Sequence, residues 1–334
     1  MLRILVNRRK ELLTKGSLVC WFLAFALSAQ AQAPLTAGAP IPLTGTHGDF
    51  DFLRVDTAMN RLLVAHEKNK TFDVFDLKTK KLIKAVPTGT CQDVAIDVKR
   101  GKYYVSGNDP GRFVIVDRKT LAVTGELPLP KDTDLVGFNP STGLVYISND
   151  TAGETWVIDP DAKKVVTTIK YTGSGVEDIV FDPGYKHMYQ AVKGSNTISE
   201  VDPVTNRVLN QWSLAPDTGP HGIALVPESN ALLVACQGKL VLLDLSTGKI
   251  LDRVDIAQKV DEVAYDSSNH LSYSGGKLGK LSVVRVESNK LTSLGDVSDE
   301  QGATSVAVDP KTHAVWIIYV KGDQTFVQPF TPAT

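Results

Sequence analysis

The sequence predicts an all-β fold of seven four-stranded blades closed into a ring, a β-propeller, and three observations predict it. A strand ending in an apolar residue before Asp, Asn or Pro recurs seven times: Val55-Asp56, Ile96-Asp97, Phe138-Asn139, Phe181-Asp182, Val226-Pro227, Tyr265-Asp266 and Val308-Asp309. Successive anchors stand 39 to 45 residues apart, the length of four short strands and their turns. A second marker runs in phase, as Val74-Phe75-Asp76, Ile115-Val116-Asp117, Val157-Ile158-Asp159, Glu200-Val201-Asp202, Leu242-Leu243-Asp244 and a degenerate Val283-Val284-Arg285.

Each unit reads as strand, short turn, strand, loop, then two more strands. The anchor closes the innermost strand. The second strand is rich in aromatic and β-branched residues, as in Tyr103-Tyr104-Val105-Ser106 and Val145-Tyr146-Ile147-Ser148, which suit a pleated surface buried on both faces. The third ends in the apolar-Asp marker, and in Asp244-Leu245-Ser246-Thr247-Gly248-Lys249 the aspartate can accept backbone N–H bonds while glycine supplies a positive φ. Asp117, Asp159 and Asp202 hold the same place, which makes them turn caps rather than catalytic acids. A linear solenoid would need capping units, and none is evident. The last unit, from Ala303 to Phe330, has room for three strands, so Pro40-Ile41-Pro42-Leu43-Thr44-Gly45 is expected to complete it and protect its open edge.

The chain of 334 residues, 43% hydrophobic and 22% charged, has the composition of an ordinary globular protein. Residues 1–31 read as a signal peptide: a basic start, the apolar run Leu18–Leu27, too short to span a bilayer, and Ser28-Ala29-Gln30-Ala31 before the cut. Glu11 stands after Arg8-Arg9 where a twin-arginine signal wants an apolar residue, so the general secretory route is expected. The expected location is therefore periplasmic or extracellular. Taking the five basic residues and one acid of this leader from the 36 and 37 of the full chain leaves 31 against 36, a net charge of −5. That sign disfavours nucleic acid as a partner. The remaining Cys91 and Cys236 lie three repeats apart and are expected as free buried thiols rather than a bridge.

The segments Tyr104-Val105-Ser106-Gly107-Asn108 and Tyr146-Ile147-Ser148-Asn149, with the apolar-Asp markers that follow them, resemble the YVTN-type repeats of bacterial β-propeller proteins over about residues 40–332. The resemblance implies a single propeller domain over residues 32–334. It extends to seven-bladed lactonases, but no lactonase active-site set maps onto these residues.

In a propeller the innermost strands all start on one face, where the loops joining second to third strands also open. Five residues before each anchor stand Asp51, Gln92, Asp134, Glu177, Gly222, Asp261 and Thr304, four of them acids. With His47, His221, Asp93, Asp178 and Glu262 beside them, and His66 in a neighbouring loop, they predict an acidic channel mouth. The candidate ligand-binding set is His47, Asp51, His66, Gln92, Asp134, Glu177, His221, Asp261 and Glu262. Asp51, Asp134, Glu177 and Asp261 are candidates for a divalent cation such as Ca²⁺, although their spacing matches no EF-hand or zinc signature. No nucleophile can be named with its base, and Ser174, between two glycines, sits at a blade junction. The leading expectation is a monomeric scaffold that binds an envelope protein or small ligand through this face. The alternative is a lactonase-like hydrolase or isomerase using the acids and histidines of the mouth, with a divalent cation.

Overall fold

The computed structural model describes residues 33–333, so the expected leader over residues 1–31, Cys20 included, lies outside the described residues. Seven antiparallel sheets succeed one another along the chain. Blade 1 is Leu53–Asp56, Arg61–His66, Thr71–Asp76 and Lys81–Pro87. The innermost strands of blades 2 to 6 are Cys91–Asp97, Thr133–Asn139, Val176–Phe181, Ile223–Val226 and Val260–Asp266, and that of blade 7 is Val306–Val308.

Burial follows position in the blade. Second strands such as Arg61–His66 and Ala231–Cys236 are buried at every residue, whereas fourth strands such as Lys164–Lys170 are mostly exposed. The β-branched and aromatic residues of the inner strands therefore pack against neighbouring blades on both sides. One apolar layer fills each junction: Leu63, Phe72 and Val74 meet Tyr103 and Val105 between blades 1 and 2, and Leu53, Phe75, Trp316 and Ile318 meet between blades 7 and 1.

The turn chemistry is as read from the sequence. Asp117 Oδ1 accepts the Lys119 and Thr120 N–H groups at 3.1 and 2.9 Å, and Asp244 Oδ1 accepts those of Ser246 and Thr247 at 2.8 Å each. The same bonds hold Asp117 down at about 2 on the pKa scale, the Thr120 N–H contributing most.

Ring closure also follows expectation, with one addition. Ile41–Pro42 pairs with the last strand, Gln324–Pro332, and so does a second short strand upstream, Leu35–Ala37. Leu43 N–H donates to Thr325 O at 2.9 Å, and Ala333 N–H to Pro34 O at 2.9 Å. Leu35 and Leu43 are buried in the junctions on either side of blade 7. Each such leucine contributes roughly 1.5–3 kcal/mol. Cys91 and Cys236 are free and buried.

Candidate binding site at the channel mouth

The innermost strands of blades 2, 3, 4 and 6 each break register near their start, between Cys91 and Asp93, Thr133 and Val136, Val176 and Ile179, and Val260 and Val263. A β-bulge turns successive side chains away from strict alternation. The adjacent pairs Gln92-Asp93, Glu177-Asp178 and Asp261-Glu262 lie at these breaks, and the two members of a pair have different partners.

The second member of each pair is spent inside the channel. Asp93 Oδ2 accepts the Val136 N–H at 3.1 Å, Asp178 Oδ2 the Ile223 N–H at 3.0 Å, and Glu262 Oε2 the Val306 and Leu53 N–H groups at 3.1 Å. Acids on blades 2, 4 and 6 thus hold the backbone of the following odd-numbered blades. All three also meet one guanidinium: Arg54 Nη2 lies 3.1 Å from Asp93 and 3.4 Å from Asp178, and Nη1 lies 2.5 Å from Glu262. The three carboxylates raise the Arg54 pKa, outweighing the opposite effect of its burial. One cation cannot balance three acids. Burial pushes Asp178 up to about 6 and Glu262 well above the usual carboxylate range, with Arg54 opposing both.

Glu262 is therefore not a mouth ligand, contrary to the reading of the sequence, because both its oxygens are committed inside the ring. His66 is corrected as well. It ends the second strand of blade 1 rather than lying in a loop, is wholly buried, and bonds Asp73 Oδ2 through Nδ1 at 2.7 Å and the Gly48 carbonyl through Nε2 at 3.2 Å. Phe50 packs on its ring, 4.4 Å between centroids. An imidazole flanked by these acceptors braces blade 1 and is closed to solvent.

Of the first members, Asp261 lines two cavities at this end of the channel, whereas Gln92 and Glu177 are buried. Asp51 and Asp134 are half-buried, and among the described residues neither carboxylate has an ion-pair or hydrogen-bond partner. Burial raises both pKa values well above normal. Asp134 and Asp261 add to the effect at Asp51, and Glu177 and Asp150 add to it at Asp134. Asp134, Asp150 and Glu177 each offer an oxygen within 4.8 Å of the others. The ring is not purely acidic, however. Glu177 is buried and already paired, with Lys193 Nζ at 2.9 Å and His221 Nε2 at 3.2 Å, while His221 Nδ1 donates to the Asp261 carbonyl at 2.9 Å. Gln92 is buried and His47 is exposed.

Two cavities open beside the mouth. One of about 260 Å³ is lined by Asp49, Glu67, Asp261, Lys277 and Thr304. The other, of about 400 Å³, takes in Lys193, His221, Lys259, Asp261 and Lys277. A third, of about 430 Å³, has Arg54 and Asp178 among apolar walls that include Ile96, Phe138, Phe181 and Leu225.

Arg54 and the lysines are what reading the sequence for acids missed. Arg54 stands two residues before its anchor, a position with no recurring charge in the other units. No periodicity marks it. The lysines were visible in loops, but their convergence beside the acids depends on which blades adjoin.

No family model matches the chain. Over 230 residues, 65% of its length, it is 22% identical to the uncharacterized protein YncE of Salmonella typhi, and equally to that of Salmonella typhimurium LT2. The match spans 60% of the length of these relatives. Among solved structures, the chain resembles one of Kuenenia stuttgartiensis hydrazine synthase with a TM-score of 0.71 and 14% identity, covering 82% of this chain and 95% of that one. It resembles a chain of the mitotic checkpoint complex with a TM-score of 0.76 and 16% identity, covering 93% and 98%. The shared property is the fold. The chain is a seven-bladed β-propeller and a distant relative of YncE.

Proposed function

We propose that this protein is an exported binding propeller whose acidic channel mouth receives a positively charged group of a protein, peptide or small ligand. The observation that supports this reading is the pair Asp51 and Asp134, two half-buried carboxylates without partners among the described residues, each raised by burial and by other acids. A cation placed between them relieves that repulsion and stabilises the folded state by linkage. The oxygens of Asp134 and Asp150 suit a hard cation such as Ca²⁺, with Glu177 able to join them only by giving up Lys193 or His221, and an ammonium or guanidinium would use the same two aspartates. The envelope location rests on the leader-like residues 1–31.

The test is calorimetric titration with Ca²⁺ and with a short Lys/Arg-rich peptide, on the wild type and on Asp51→Asn/Asp134→Asn. Binding of either cation that the double variant loses supports the reading. Absence of binding, or equal binding by the variant, rejects it. The hydrolase alternative has no observation of its own. His66 is spent on Asp73, and His221 on Glu177 and the Asp261 carbonyl.

A further inference from the structure

We infer that the cavity beside the mouth, where blades 4, 5 and 6 meet, is a second binding site of opposite sign that takes a small dianion. Its volume of about 400 Å³ falls in the range of small-molecule pockets. Lys193, Lys259 and Lys277 line it, with Asp261 as its only carboxylate. Lys193 is already neutralised by Glu177. Lys259 and Lys277 make no ion pair among the described residues, and they rise from hydrogen-bonded backbone, Lys277 N–H to Lys259 O at 3.4 Å. Two ammoniums that rise from adjacent backbone beside one cavity, neither held by an acid among the described residues, can be met by one ligand carrying two negative charges.

The neutral donors of the pocket are also seated. Gly238, with φ of +71°, leaves the space that the Gln258 amide occupies, since a Cβ at this position would come within 2.1 Å of Nε2. Gly219, with φ of +63°, lies against Gln237 in the same way, at 3.1 Å from Cγ. Any other residue at Gly238 would drive the Gln258 amide from its place. The pocket thus combines two free cations with two amide groups, the donor set for a molecule carrying two acidic oxygens at separate points. A dicarboxylate and a phosphate group share that chemistry. The site does not rest on the cation reading, because Asp51 and Asp134 take no part in it.

The experiment is isothermal titration of the full-length protein with succinate and, separately, with inorganic phosphate at low ionic strength. Binding by at least one anion is expected, weakened about tenfold or more in Lys259→Gln/Lys277→Gln and unchanged in Asp51→Asn/Asp134→Asn. Both lysines are exposed, so the variant is expected to keep the wild-type melting temperature, checked by circular dichroism. Succinate binding alone assigns the site to carboxylates, and phosphate binding alone to phosphorylated ligands. Heat from neither anion, or equal affinity in the lysine variant, overturns the proposal. Failure of the mouth as a cation site would appear in the aspartate variant instead, so the two outcomes are separable.

Discussion

Arg54 of blade 1 and Asp178 of blade 4 meet across the channel, with 3.4 Å between Nη2 and Oδ1. Blades far apart in the chain are thereby joined at the axis, and the same guanidinium reaches blades 2 and 6 through Asp93 and Glu262. The ring is held from its centre as well as through its seven apolar junctions.

Removing that guanidinium leaves three buried acids uncompensated. Arg54→Met is expected to lower stability by about 3–5 kcal/mol at pH 7.5, as for other buried pairs broken on one side. The penalty should shrink at pH 5, where Asp178, raised to about 6, takes up its proton. Urea unfolding at the two pH values measures both quantities. A loss independent of pH would mean that the lost packing of Arg54 on Phe52 dominates.

The pH dependence of the wild type follows from two opposed groups of acids. Asp51, Asp134, Asp178, Asp299 and Glu262 have raised pKa values in the folded state, led by burial in each case, with Asp178 at about 6 and Asp299 at about 7. The folded protein binds more protons than the unfolded chain between about pH 4 and 7, so stability rises as pH falls through that window. Asp56, Asp76, Asp117, Asp202 and Asp252 are lowered, and their contribution is lost as pH falls further, toward the value of about 2 reached by Asp117. A thermal melt series should therefore peak between about pH 4 and 5. A maximum above pH 7 would contradict the burial of these carboxylates.

Neutralising the unpartnered mouth acids should stabilise the protein while costing it cation binding. Asp134→Asn is expected to raise stability at pH 7.5 by about 0.5–2 kcal/mol, in the manner of substitutions that relieve strain at a binding site. Chemical denaturation of the variant against wild type is the check. A destabilised variant would show that Asp134 already has a compensating partner.

The N-terminal strands can be tested in the same way. Leu43→Ala, at a fully buried position, should cost about 2–5 kcal/mol. Deleting residues 33–44 should leave the edge of Gln324–Pro332 unpaired and promote self-association, read by light scattering. A monomeric, equally stable deletion would mean that three strands suffice for blade 7.

Cys91 and Cys236 should resist thiol reagents in the native protein and react once it unfolds. Burial raises both, Cys236 to about 12. Rapid native labelling at either position would indicate local opening.

The repeat made the architecture readable because each blade needs the same turn acids and apolar strands, so Asp56, Asp97, Asp266 and Asp309 announce the period. It also placed Asp51, Asp134, Glu177 and Asp261 on one face. It did not separate Glu177 from Asp178 or Asp261 from Glu262, because which of two neighbouring acids is taken up inside the channel depends on backbone N–H groups of the next blade and on Arg54, far off in the chain. His66 misled for a related reason: whether a residue ends a strand or begins a loop is a matter of one position, and Asp73, which claims it, lies on the next strand.

The seam in blade 7 carries a consequence for how the molecule is made. Gly38 and Gln328 bond each other although they are 290 residues apart in the chain. Of the described strands, the earliest to be synthesised finds its partner only in the latest, so six blades can form along the growing chain while the seventh stays incomplete. Until that last pairing the ring is open and the channel has no complete wall. A ligand that requires the finished mouth can therefore report on closure of the ring as well as on the folding of its blades.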